Sequence, residues 1–433
     1  MKTRYLLASA MIVTLSVSAV SHAGGGKNNF KFKPVDSSAN ALDWELSRPW
    51  KLAKGFVQTI VSDESNLDIY DGGRNDWHDM NTVNETGYMA GRYMYRTHEL
   101  LQPEGGTVSV VDLKTGETSI LAQSPGYNAL DGIRWTPWGT IVFAEGIAGG
   151  RLFEIELNKD LLTAKVINDR PAVGRIAHEG IDFDTKGNIY IVSEHPGLSI
   201  GCNGASSCGN IYKFVPDEYG NLSAGLLYAL KVTGPDGIGQ GEWVGPINPD
   251  NARDSGIGAG AYSYQRTEDL EVINDVLYVA ISEGPRDEKN KELYEGRVIS
   301  IDLDSLEISN FVKPDVNVAI EIGKPGEEGF QTGFDNVSNL AEAPNGDLVM
   351  IEDNKPSDIW FASTETNRYG ASDDVRHFAS LTDPKAKGTG IYFSPLDDKT
   401  LYVNVQDSAA EDGDATWAIT RKSNWLEMAN IMR

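Results

Sequence analysis

Cysteine is almost missing from this chain: two residues in 433, Cys202 and Cys208. Two thiols fall short of the four ligands of a structural zinc site. Positive charge is scarce as well, with 38 Lys and Arg against 63 Asp and Glu and a net charge of -25. That balance argues against partners that need a positive field, nucleic acid and anionic membranes among them. Beyond residue 20 no apolar run is long enough to span a bilayer, so no membrane insertion is expected. Helical periodicity is rare. Familiar hydrolytic signatures are missing too. His178 opens H-E-G-I-D, which lacks the second histidine of a zincin. Gly197 to Gly201 fits G-x-S-x-G but leads into the cysteine loop, where a nucleophile elbow needs a helix.

What is present begins with residues 1–23, which read as a signal peptide. Lys2 and Arg4 form the charged start, Leu6 to Val20 the apolar stretch, and Ser21-His22-Ala23 the cleavage site. No Arg-Arg pair is present, so the general export route is expected, with a soluble, monomeric product in the periplasm or outside the cell. In that setting Cys202 and Cys208 most simply form one disulfide that pins a Gly/Ser-rich loop.

Short alternating apolar runs bounded by Gly, Asn, Asp and Pro dominate, an all-β signature. Aligned, they show a repeated hairpin: D-G-I-R-W-T-P-W-G-T-I-V-F-A-E from Asp131, and E-G-I-D-F-D-T-K-G-N-I-Y-I-V-S-E from Glu179. Related copies start at Glu268, Ser338 and Thr389, and Met89 to Leu121 can supply one more. Three of the four spacings are roughly 50–70 residues, which suits propeller blades, and the longer gap between Glu179 and Glu268 reads as an insertion or a further degenerate blade. We expect one β-propeller over 51–433 with insertions around 197–262, preceded by a linker or edge segment at 24–50.

Within the repeat, Asp131, Glu179 and Glu268 sit two residues before the first apolar strand residue. Glu145, Glu194, Glu283, Glu352 and Asp353 close the second strand. Equivalent strand ends converge at one mouth of a propeller channel, which predicts a ring of carboxylates. Such a ring repels itself unless cations neutralise it, and crowded oxygen ligands suit Ca²⁺. Arg134, Arg175 and Arg266 stand near this acid as candidate anion donors.

The motifs T-P-W-G-T-x-x-x-x-E (Thr136 to Glu145), G-R-x-x-H-E (Gly174 to Glu179), R-x-E-D (Arg266 to Asp269) and F-S-P-x-x-x-x-T-L-Y-V-N-V-Q (Phe393 to Gln406) occur in that order. The ordered set resembles the PhoX family of secreted bacterial alkaline phosphatases. The resemblance implies a six-bladed propeller with iron and calcium in its channel, acting on small phosphate monoesters. It implies metal ligands at Glu99, Asp131, Glu145, Glu179, Glu268 and Glu352, to which the repeat adds Glu194 and Glu283. Arg175 and Arg266 would hold phosphate, and His178 would relay protons. Typical members carry a cysteine iron ligand where this chain has Asp131, so Ca²⁺ is the firmer expectation and Fe³⁺ the open one. The usual Q-H near the end is Gln406-Asp407 here. A calcium-dependent propeller lactonase or esterase, for which Asn336 and Asn339 would serve, and a non-catalytic calcium-stabilised binding propeller are the alternative classes.

Overall fold

The computed structural model describes residues 30–67, 77–101, 105–196, 207–282 and 296–422. Residues 1–23, read above as a signal peptide, Cys202 and Glu283 lie outside them, as does the side chain of Cys208. β-Branched and aromatic residues at every second position, closed off by Gly, Asn and Asp turns, produce short antiparallel strands throughout.

The strands form successive meanders. The first runs His78–Val83, Tyr93–His98, Gly106–Asp112, Thr118–Ser124, and the second Leu130–Trp135, Ile141–Glu145, Leu152–Leu157, Ala164–Asp169. The third opens with His178–Phe183, the fourth with Thr267–Ile273, the fifth with Val337–Glu342 and the sixth with Lys387–Phe393. These six opening strands are the inner ones. Each packs on the next, and the sixth packs back on the first, so they close a ring. The chain is thus an all-β propeller whose channel lies inside that ring.

An early strand and the last described strand meet in the sixth sheet. Its outer strand, Phe56–Asp63, pairs with Ala415–Arg421. Trp50–Leu52 adds an edge to the fifth sheet through Val375–Leu381. Residues 30–50, expected as a linker or edge, pack over these two sheets. Phe30 is 6% exposed and meets Phe56, Phe361, Phe378 and Phe393. Within the stretch expected as an insertion, Gly225–Val232 is the fourth strand of the third sheet. Gly239–Val244 then joins it to Glu307–Val312 of the fourth. Between sheets the core is apolar, with Val142, Ile189 and Ile191 fully buried between the second and third. Each such side chain contributes about 1.5–3 kcal/mol.

Every inner strand carries a one-residue register slip against its neighbour. The slip falls between His78 and Asn81, Leu130 and Ile133, His178 and Ile181, Thr267 and Leu270, Val337 and Leu340, and Thr389 and Tyr392. A β-bulge bends the strand and re-aims one side chain. In four sheets the residue just before the inner strand has left-handed backbone: Trp77, Ala129, Arg266 and Asn336. The repeat visible in sequence is therefore also a repeat in backbone conformation.

Candidate metal centre

The bulges place one residue per sheet at the same level of the channel. In chain order these are Asp79, Asp131, Glu179, Glu268, Ser338 and Gly390. Four acids therefore line one side of the ring and two small residues the other. The glycines after two of the acids let neighbouring strands approach. A Cβ on Gly132 would meet the Glu179 carbonyl at 2.1 Å, and one on Gly180 would meet Asp269 Oδ1 at 2.0 Å.

A second level comes from the residue just after the second strand in sheets one, two, four and five, and from Glu194 within Ile189–Pro196 in the third. Each N–H donates to the carbonyl of the residue preceding the inner strand: Glu99 to Trp77, Gly146 to Ala129, Glu194 to Ala177, Ser282 to Arg266, Asp353 to Asn336. Three of these positions are acidic. Arg266 binds across both levels. Its Nε donates to Glu194 Oε1 at 2.7 Å, and its Nη2 lies 2.7 Å from Glu268 Oε1 and 3.5 Å from Asp353 Oδ2. Lys387 Nζ lies 3.3 Å from the other oxygen of Asp353.

Seven carboxylates against two cations leave this mouth strongly negative. Burial raises the Asp131 and Glu179 carboxyls well above the usual range; the charge of Asp79 adds to it at Asp131, where the hydrogen bond with Glu179 opposes it, and Asp131 and Glu268 add to it at Glu179. The two share a hydrogen bond, which requires a proton on one of them. Burial likewise raises Asp79, with Glu99 adding to it. It raises Glu99 against the opposing pull of Lys387, and Glu268 against that of Arg266.

Below the acids the channel is plugged. Arg134 makes paired bonds to Glu271 at 3.1 and 3.0 Å and lies 3.0 Å from Asp182. Asp269 accepts the N–H groups of Leu270 and Leu340. A cavity of about 20 Å³ at this depth, lined by Asn81, Arg134, Asp269 and Asn339, is room for about one water. The site thus opens at one mouth.

Of the residues expected from sequence, the fold brings together Glu99, Asp131, Glu179, Glu194, Glu268 and Arg266. It turns others away. Glu145 pairs with Leu130 and Glu352 with Val337, one register step short of the mouth, so both point off the channel. Glu145 accepts Arg151 Nε at 2.8 Å and Nη2 at 2.6 Å. Glu352 accepts Trp360 Nε1 at 2.8 Å and the Asp335 N–H at 2.9 Å. Arg175 grips Asp169 at 2.8 and 2.6 Å, and the buried ring of His178 meets the Gly174 carbonyl at 3.2 Å. Asp407 binds Lys385. The sequence reading did not assign Asp79 or Lys387.

Asp79, Glu99 and Asp131 bring one oxygen each to within 4.8 Å of one another. Asp131 is 7% exposed, and its Oδ1 has no hydrogen-bond partner. Converging buried carboxylates with an oxygen left over fit a hard cation, Ca²⁺ or Fe³⁺, and not a soft one.

An acid-ringed channel open at one mouth defines the chain as a β-propeller with a candidate metal site. The family described as Alkaline phosphatase PhoX matches residues 145–409, and the chain belongs to that family. Among solved structures, *Pseudomonas fluorescens* PhoX in complex with vanadate, a transition state analogue, is similar at a TM-score of 0.62 and 15% identity. That likeness covers 90% of this chain and 98% of the other. A luciferin-regenerating enzyme follows at TM-score 0.47 and 12% identity, covering 84% and 95% of the two chains. The PQQ-bound aldose sugar dehydrogenase of *Streptomyces coelicolor* stands at 0.46 and 13%, covering 86% and 100%. No curated protein matches. Among the described residues no helix is long and apolar enough to cross a membrane.

Proposed function

We propose that this chain is a metal-dependent hydrolase of small phosphate monoesters. The observation that carries the reading is the Asp79–Glu99–Asp131 cluster, set in the channel of a member of an alkaline phosphatase family. That the Pseudomonas fluorescens protein of similar fold is in complex with vanadate, a transition state analogue, supports this reading. Asp79, Glu99, Asp131, Glu179 and Glu268 would hold the metals, with Glu194 beside them. Bound there, the metals would supply Lewis acidity toward phosphoryl oxygen and a lowered pKa for water. Asp131 gives oxygen where the family's cysteine would give sulfur, which favours Ca²⁺ and keeps Fe³⁺ compatible.

Phosphoryl transfer depends mainly on positioning and charge neutralisation. Glu194 and Glu268 hold Arg266 over the mouth, and its left-handed backbone (φ +49°) fixes the direction from which the guanidinium enters. The Arg134 plug keeps bulk water from entering below. Asn339, which the lactonase alternative would use, instead accepts the Gly390 N–H at 2.8 Å. Export by residues 1–23 and a Cys202–Cys208 disulfide belong to the same proposal.

The test is hydrolysis of an aryl phosphate by the mature protein at alkaline pH, lost on chelation and restored by Ca²⁺ alone or with Fe. Metal analysis of the purified protein accompanies it. A protein free of metal that cleaves no phosphate ester under any metal supplement would end this reading.

A further inference from the structure

The ring is asymmetric, and its acid-free sector holds the cue. Sheets one to four supply Asp79, Asp131, Glu179 and Glu268, while sheets five and six supply Ser338 and Gly390 at the same level. Lys387 reaches this gap. Its strand starts two residues ahead of Thr389, the position that matches the other strand starts, so it stands above the ring. Its side chain is 36% exposed, open to the water of the mouth.

Lys387 and Arg266 approach opposite oxygens of one carboxylate, Asp353, at 3.3 and 3.5 Å. Two cations bridging two oxygens of one anion is the arrangement that a phosphoryl edge would take. The contacts are long for charge-assisted bonds, which run about 2.7–2.9 Å, so Asp353 holds both cations loosely. Arg266 is also tied to Glu194 and Glu268 at 2.7 Å each. Lys387 is the more easily redirected of the two.

We propose that Lys387 is a specificity-determining cation of this site: its ammonium binds a non-bridging phosphoryl oxygen opposite Arg266 and favours dianionic monoesters over monoanionic diesters. The inference rests on the phosphatase reading above. A monoester dianion offers a full charge to each cation, and a diester carries one charge for both. Metals on the acid-rich side, Arg266 at the edge of that side and Lys387 on the side whose ring level carries no acid then divide the work of neutralising the substrate.

The experiment uses the metal-loaded mature enzyme and its Lys387→Gln and Lys387→Arg variants. Kinetics are read on p-nitrophenyl phosphate and on bis(p-nitrophenyl) phosphate, the latter as an inhibitor where turnover is too slow. Inhibition by inorganic phosphate, metal content and melting temperature are read alongside. Lys387→Gln is expected to raise KM for the monoester and the inhibition constant of phosphate about 10- to 100-fold, the worth of one charge-assisted bond. The diester should change less than about threefold. Lys387→Arg should recover most of the loss, and metal content should stay constant. Parallel loss on both esters, or a change in metal content that activity follows, would overturn the proposal and make Lys387 a counter-ion of the metal ligands. If Lys387→Gln does not fold, Asp353→Asn decides, read at verified metal content. Releasing both cations should tighten inorganic phosphate, and unchanged or weaker binding overturns the proposal. A wild-type enzyme inert to both esters would count against the phosphatase reading itself, whereas an active one whose preference ignores Lys387 would count only against this inference.

Discussion

Glu145→Gln separates two readings of the same acid. Counting along the sequence places Glu145 in the carboxylate ring, whereas strand register turns it onto Arg151. Its carboxylate accepts Arg151 Nε, Nη2 and the Arg151 N–H at 2.8, 2.6 and 3.0 Å. The Glu145 side chain is 3% exposed and that of Arg151 36%. Glutamine keeps one acceptor oxygen but loses the charge. Arg151 keeps the Gly126 carbonyl and the face of Phe153. With one partner solvated, the loss should be about 1–2 kcal/mol. For a chain of this size that is a fall of about 1–2 °C in melting temperature. The assay pairs a thermal scan at fixed rate with kcat/KM on an aryl phosphate. We expect the small thermal loss with activity within about twofold of wild type. An unchanged melting temperature with bound metal lost and activity down about 100-fold or more would refute the register argument.

Asp131→Asn should remove bound metal and lower activity by about 100-fold or more, yet leave the metal-free protein no less stable in a thermal scan, because it deletes one of several repelling buried charges. The acids at the mouth have folded-state pKa values raised above their unfolded values, so the folded chain holds more protons over that interval. Stability of chelated protein should therefore fall as pH rises from weakly acidic to alkaline, with Ca²⁺ restoring most at the alkaline end; chelator-treated melting temperatures that climb with pH would contradict this. Gly132→Ala sets a Cβ 2.1 Å from the Glu179 carbonyl and should cost about 1–3 kcal/mol, with weaker Ca²⁺ binding by titration calorimetry. Phe30→Ala should cost about 3–5 kcal/mol in denaturant unfolding if residues 30–50 are part of the domain core, and nothing measurable if they are a linker.

The hairpins from Asp131, Glu179 and Glu268 were legible because short turns join their strands and an acid precedes the first apolar residue. The first inner strand was missed for the opposite reason. Residues 84–92 separate His78–Val83 from Tyr93–His98, too long a connection to read as a tight turn, and Asp79 went unnoticed with it. At the second level the error was one residue. Glu145 and Glu352 look equivalent to Glu194 when counted along the chain. The shared backbone hydrogen bond aligns Glu194 with Gly146 and Asp353 instead. Because side chains alternate along a strand, that single step exchanges channel for interior. Lys387 lies ahead of the repeat and has no counterpart to align with.

The pairing of Phe56–Asp63 with Ala415–Arg421 has a temporal consequence. In a chain that emerges from its N-terminus, the first long strand has no partner until nearly the last one arrives. Contacts of such high sequence separation make folding slow, and until then Phe56–Asp63 is a bare strand edge open to other chains. The proposed metal ligands come from the first four sheets, so the cavity takes its final dimensions only when this seam shuts. Uptake of the proposed metal should then be the last event in folding, and a chain cut after Gln406 should accumulate as aggregate before it can bind one.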